Sequence, residues 1–335
     1  MNMAKWVADT IASPAKKGFP VLSFPAIQKM DVAVKDLIGS ADLQAEAMRL
    51  VAESTPSAAS VSFMDLSVEA ESFGSRTVFR DDGAPTVVGS VVGTDADMDA
   101  LAVPEATDGR CGLYVDAVRK AVPLIGDRPV FAGTIGPFSL AALLCGVNEI
   151  MLLCYDEPEF VESLLEKVSA FLVEYARAFK EAGADGVVMA EPLAGLLSPD
   201  LAAQFSGPYV KAIVEAVQDE GFGVVYHNCG PGVIKQIDSI VSNGARGYHF
   251  GNAIDMADVL PLMPSDRLVM GNVDPAAEFR HGTPESVRAK TLEVLESCAS
   301  YPNFVPSSGC DIPPMSPWEN IDAFFDAVDE FYGKN

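Results

Sequence analysis

The sequence predicts an α/β fold, a (β/α)8 TIM-type barrel with an N-terminal helical extension, and three observations carry that reading. From about residue 129 onward, short apolar, β-rich runs alternate with helical stretches, the pattern of parallel strands joined by right-handed crossovers. Polar and unusual residues gather where the apolar runs end: Glu191, then His227-Asn228-Cys229, Asn252, Asn272 and Asp274, and Cys310-Asp311. In parallel barrels the chemistry sits at the carboxyl ends of the strands, so these residues fall on one rim. Finally, no glycine-rich dinucleotide fingerprint follows the first strand, which favours a closed barrel over an open doubly wound sheet.

Taken in order, residues 1–58 read as a helical extension packed on the barrel, with a strand at 20–24 (PVLSF). Residues 59–335 read as the barrel. Its first strand lies in 59–66 (ASVSFMDL), and a Pro-, Gly- and Asp-rich insertion follows near 68–128. Further strands are expected at 129–133, 186–192, 223–230, 247–252, 267–275 and 303–310. Between them, the stretches from Pro158 and from Thr283 carry apolar residues at three- and four-residue spacing with acidic residues early, as amphipathic helices do. Thr283-Pro284 reads as an N-cap and first helical residue, with Ser286 completing part of a capping box.

The length of 335 residues accommodates a barrel of about 250 residues plus an extension. A formal charge of −24 argues against sequence-independent binding to nucleic acid or anionic lipid, which relies on basic patches. No run of about 18 apolar residues is free of charges or breakers, and the N-terminus lacks the apolar core of a signal peptide, so no membrane span is expected. Six cysteines in a chain this long do not form a disulfide scaffold; thiols or metal ligands in a reducing cytoplasm are expected.

His227 and Cys229 are separated by one residue at a strand end, so both side chains project from one face and can reach one ion. Cys310 ends the last apparent strand, and in a closed barrel distant strand ends converge on the axis. Soft thiolates with one imidazole select zinc over magnesium or calcium. Three protein ligands leave a fourth position for water or substrate, as in catalytic sites. Two thiolates and a neutral imidazole cancel the charge of the dication, leaving a weak Lewis acid. Such a site still drives the proton from a bound thiol and keeps its sulfur electron-rich, which favours thiol alkylation over hydrolysis.

The segments TIGPFSLAALLCG, MAEPLAGLLSPDLAAQFSGPYVKAI, YHNCG, MGNVDP and SSGCDIPP together resemble the uroporphyrinogen decarboxylase superfamily, and within it the methylcobamide:coenzyme M methyltransferase branch. The resemblance covers most of the chain from about residue 59. It implies a (β/α)8 barrel in which Zn2+, held by His227, Cys229 and Cys310, activates a small thiol such as coenzyme M. That thiol then takes a methyl group from a methylcobamide carried on a partner protein. No D-x-H-x-x-G corrinoid-binding motif occurs in the chain itself. Decarboxylases of the superfamily hold substrate carboxylates with a pair of N-terminal arginines. Here GFPVLSFPAIQKM contains none, and the first arginine is Arg49, so porphyrin decarboxylation is disfavoured.

Glu191 stands where the family places an acidic residue facing the site, and it and Asn272 are the candidate catalytic groups. Asp274 reads better as a helix cap, and Asp311 as either a support of Cys310 or the start of a turn. His249 reads as a satisfied core histidine and His281 as a surface residue. Cys145, Cys154 and Cys298 read as core thiols, Cys111 lies in a loop-like stretch without a role, and Gly271 and Gly309 permit close approach at the rim. Two rival functions remain: a corrinoid-dependent demethylase acting on a methoxylated or methylamine substrate, and a non-catalytic zinc- or corrinoid-binding barrel. In the latter, Glu191, His249 or Asp311 supplies a fourth ligand.

Overall fold

Seven short strands, each buried along its whole length, run parallel in a single curled sheet surrounded by helices. They are β1 (Ser60–Val61), β4 (Val130–Ile135), β5 (Gly186–Ala190), β6 (Gly223–Asn228), β7 (Gly247–Phe250), β8 (Leu268–Val273) and β9 (Phe304–Ser308), paired in chain order. Strands buried on both faces explain why the runs are apolar throughout rather than alternating. A two-stranded antiparallel hairpin, β2 (Arg76–Val78) with β3 (Thr86–Val88), stands apart in the insertion. The computed structural model describes residues 1–333.

Segment 18–24 occupies the gap between β9 and β1. Phe19 N–H donates to the Pro306 carbonyl at 2.8 Å, and Ala58 N–H donates to the Gly18 carbonyl at 2.8 Å. Ile312 N–H reaches the Val21 carbonyl at 3.0 Å, and Val21 N–H reaches Ser308 Oγ at 3.1 Å. These bonds are too irregular to form a ladder, so the run expected as a strand at 20–24 is irregular chain that turns at Phe24. It still completes the wall, and its Phe19 and Val21 join the barrel interior with Val61, Phe131, Val225 and Met270.

The helix Pro158–Glu181 between β4 and β5 shows how the outer layer forms. Phe160, Leu164, Val168, Phe171, Tyr175 and Phe179 recur at three- and four-residue spacing and are all buried. Pro158 opens it, and Gly183, with φ of 97°, follows its end. Pro284–Cys298 has its complete capping box between Thr283 and Ser286.

The insertion is more ordered than its composition suggests. Helix Gly109–Ala121 packs against Ala41–Ser54, and Cys111 lies buried in that helix rather than in a loop. Among the described residues no single helix is long and apolar enough to cross a membrane. Pro137–Cys145 and Val147–Asp156 reach that composition only as a pair bent by 104°.

Candidate metal centre

Side-chain parity along the strands selects what faces the barrel axis. Val225 points inward, so His227 and Cys229 do too; Gly247 and Val305 likewise place His249 and Ser307 on the inner face. The interior is apolar through most of its depth and turns polar at the carboxyl end, where His227 pairs with Ala190 on one side and His249 on the other.

There the donor atoms of His227, Cys229 and Cys310 lie within 4.8 Å of one another. His227 Nε2 is 3.5 Å from Cys310 Sγ. Tetrahedral zinc with ordinary Zn–N and Zn–S bonds separates nitrogen from sulfur by about 3.5 Å, so the donor set fits that ion in both chemistry and spacing. His227 is buried, while both cysteines keep partial contact with solvent. The cluster is therefore walled from below and open toward the mouth.

The two thiols lie close enough to act on each other's protons. Removing the first proton is eased because the remaining S–H stabilises the thiolate, which lowers Cys310; removing the second is resisted, which raises Cys229. A dication replacing both protons relieves that conflict. The backbone N–H of Asp311 also supports the Cys310 sulfur. The Asp311 carboxyl has an unpartnered buried Oδ1 and is pushed well above the usual range by burial. Gly251 packs against Cys229: a Cβ there would lie 2.5 Å from the cysteine Cβ. At Gly309 a Cβ would lie 2.7 Å from Asn252 Oδ1, a close approach of the kind expected at this rim.

Glu191 follows β5 with the opposite parity to Ala190 and points outward. Its oxygens accept from Phe138 N–H at 2.9 Å and Ser139 N–H at 2.6 Å, at the start of helix Pro137–Cys145, with Ser206 Oγ at 3.3 Å. It is fully buried, and burial pushes its pKa up to about 7 against the pull of these donors. Asn272 donates to the carbonyls of Gly251 at 2.9 Å and Ile254 at 2.7 Å, pinning the loop after β7. Asp274 caps the turn after β8 through Ala276 and Ala277 N–H, both at 2.8 Å. Neither Glu191 nor Asn272 belongs to the three-residue ligand group.

His249 is buried, with both ring nitrogens satisfied: Nδ1 lies 2.7 Å from His227 Nδ1, and Nε2 lies 2.7 Å from Ser307 Oγ. Its pKa falls well below 6.5 because of burial and the neighbouring His227. A core histidine is what the sequence suggests; its contact with a candidate metal ligand is what the sequence reading missed. The available signal was parity, since both histidines stand at the ends of consecutive strands. His281 is exposed, and Cys145, Cys154 and Cys298 are buried thiols.

Residues 21–331 match the family described as uroporphyrinogen decarboxylase (URO-D), so the likeness reaches back beyond residue 59. Methylcobamide:CoM methyltransferase MtbA of Methanosarcina acetivorans is 31% identical over 261 residues, 77% of this chain and 75% of the relative. A uroporphyrinogen decarboxylase of Coxiella burnetii is 27% identical over 266 residues, 75% and 72% of the two chains. Among solved structures, a methyltransferase from Methanosarcina mazei superposes with a TM-score of 0.86 at 24% identity, covering 99% of both chains. A B12-independent methionine synthase from Shewanella follows the same fold at 0.62 and 14% identity, covering 96% of this chain and 98% of that one. The match across nearly the whole length, carried by a parallel barrel with its polar residues on one rim, places the chain in the uroporphyrinogen decarboxylase family.

Proposed function

We propose that this chain is a zinc-dependent corrinoid methyltransferase, moving a methyl group from a methylated corrinoid on a partner protein to a small thiol of the coenzyme M kind. The observation that carries this reading is the convergence of His227, Cys229 and Cys310 at the open end of the barrel. The 31% identity to a protein named as a methylcobamide:CoM methyltransferase supports it. The absence of arginine before Arg49 speaks against decarboxylation, which needs cations for several substrate carboxylates.

When bound, Zn2+ supplies a Lewis acid that lets a thiol lose its proton near neutral pH. His227, Cys229 and Cys310 would hold the ion, and the partial exposure of the thiols leaves the approach from the mouth clear. The substrate sulfur forms a bond to the methyl carbon, giving a thioether. The electron pair of the broken Co–C bond stays with cobalt on the partner's corrinoid, and the thiol proton goes to solvent. In-line alignment of sulfur and carbon is the barrel mouth's contribution to rate. Glu191 and Asn272 serve this chemistry by fixing the rim: one anchors helix Pro137–Cys145, the other the loop beside Cys229. All six cysteines are free, which suits the reducing cytoplasm where we place the protein.

The test uses the full chain loaded with zinc, methylcobalamin as methyl donor, and coenzyme M or other small thiols under anaerobic conditions. Thiol-dependent loss of the methylcobalamin spectrum is expected, and Cys310→Ala abolishes it. No demethylation with any thiol at full zinc occupancy overturns the proposal. Methylation of Co(I) by a methoxylated compound or methylamine without a thiol would assign the demethylase reaction instead.

A further inference from the structure

We infer that His249 and Ser307 are positioning residues that lock His227 in the one tautomer able to bind metal. The inference rests on the ligand reading above. Hydrogen-bond polarity runs inward from a group whose role is fixed. The Phe19 carbonyl can only accept, and Ser307 Oγ lies 2.7 Å from it, so the serine hydroxyl proton points there. Ser307 Oγ must then accept from His249, 2.7 Å away, which places the His249 proton on Nε2. His249 Nδ1 is therefore bare, and across 2.7 Å it accepts from His227 Nδ1–H.

A second bond gives the same answer independently. The His249 backbone carbonyl, also only an acceptor, lies 3.2 Å from His227 Nδ1. Both partners of His227 Nδ1 thus demand a proton on it, and Nε2 keeps its lone pair, facing Cys310 Sγ. All four groups are buried, so water does not compete for these bonds. A donor in place of the His249 acceptor would set N–H against N–H and favour the tautomer whose Nε2 carries a proton and cannot ligate. The chain that fixes this polarity starts in segment 18–24, which ties closure of the barrel to readiness of the ligand.

The chain has only three histidines, so the inference is directly readable by NMR on 15N-histidine-labelled, zinc-free protein. The expected spectrum shows His227 protonated on Nδ1 and His249 on Nε2. His227 protonated on Nε2 overturns the inference whatever the zinc content. The second arm measures zinc affinity by chelator competition and the visible spectrum of the Co2+-substituted protein. His249→Leu removes the acceptor and is expected to weaken binding about 10–100-fold with an altered Co2+ spectrum. His249→Asn, whose amide oxygen replaces Nδ1 as acceptor, restores most of the loss. Wild-type affinity and an unchanged spectrum in His249→Leu overturn the inference, as does failure of His249→Asn to exceed His249→Leu. Should both histidine variants fail to fold, Ser307→Ala removes the acceptor for His249 Nε2–H and is read by the same NMR signals, the expected outcome being loss of the single His227 tautomer. Absence of zinc binding in the parent protein, with the tautomers as stated, would instead refute the metal-centre reading.

Discussion

A carboxyl sealed inside a protein changes the proton balance of folding. Glu69 lies at the carboxyl end of the barrel, where its Oε1 accepts from Thr134 Oγ1 and Ile135 N–H, both at 3.0 Å, and its Oε2 has no partner. Burial, with the Asp65 charge acting in the same direction, raises its pKa from 4.5 to about 7. Between these values the folded chain keeps a proton that the unfolded chain has released. The stabilising contribution is therefore full below about 4.5 and is lost as pH rises through about 7, a change of roughly 3 kcal/mol. Glu69→Gln keeps the accepting oxygen and has no charge to desolvate. Denaturant unfolding should show the parent losing more stability than the variant between about pH 4.5 and pH 8; equal losses would show that Glu69 is not the group responsible. Glu191 contributes a slope of the same sign in both proteins, so the comparison isolates Glu69.

At this scale the candidate metal cluster was legible because His227 and Cys229 are two residues apart on one strand end, a relation that period-two geometry makes spatial. His249, Ser307 and the backbone partners of Glu191 were not. Their contacts span 22, 58 and more than 50 residues, and depend on which strands are neighbours and in what register.

Elements place these residues through small tolerances. The loop leaving β7 passes so close to the one leaving β6 that Gly251 leaves no room for a side chain beside Cys229, where a Cβ would meet its Cα at 2.6 Å. Both contacts involve atoms at or next to the backbone, so the clash cannot be relieved by turning a flexible side chain. Gly251→Ala should displace Cys229 and weaken zinc binding on the order of tenfold, leaving the fold intact. Chelator competition alongside circular dichroism measures this, and parent-like affinity would mean that the loop adjusts freely. The apolar strands and the long amphipathic helices were readable because burial on both faces and a 3.6-residue stripe are written in consecutive residues. Two elements were obscured: β1 is only two residues long, and the insertion hides helix Gly109–Ala121, whose partner Ala41–Ser54 lies far upstream.

The two ends of the barrel do different work. At the carboxyl end stand His227, Cys229 and Cys310; at the other, helix Met3–Ala12 closes the base, with Met3 and Val7 packed against Phe131, Val225 and Leu268. Met3 N–H and Ala4 N–H hold the plug through the Glu220 carbonyl, at 2.6 and 3.3 Å. In barrels of this kind, residues at the base govern stability and those at the top govern chemistry. Met3 is almost wholly buried, so Met3→Ala leaves a cavity and should cost about 2–5 kcal/mol in unfolding free energy. Zinc affinity should stay at the parent value, because the apolar interior separates the plug from the ligands. Cys310→Ala should show the converse, losing zinc while the metal-free chain unfolds at nearly the parent denaturant concentration. Chemical unfolding and chelator competition on both variants decide the matter. Loss of zinc affinity in Met3→Ala would mean that the base shapes the ligand geometry and that stability and chemistry are not divided between the ends.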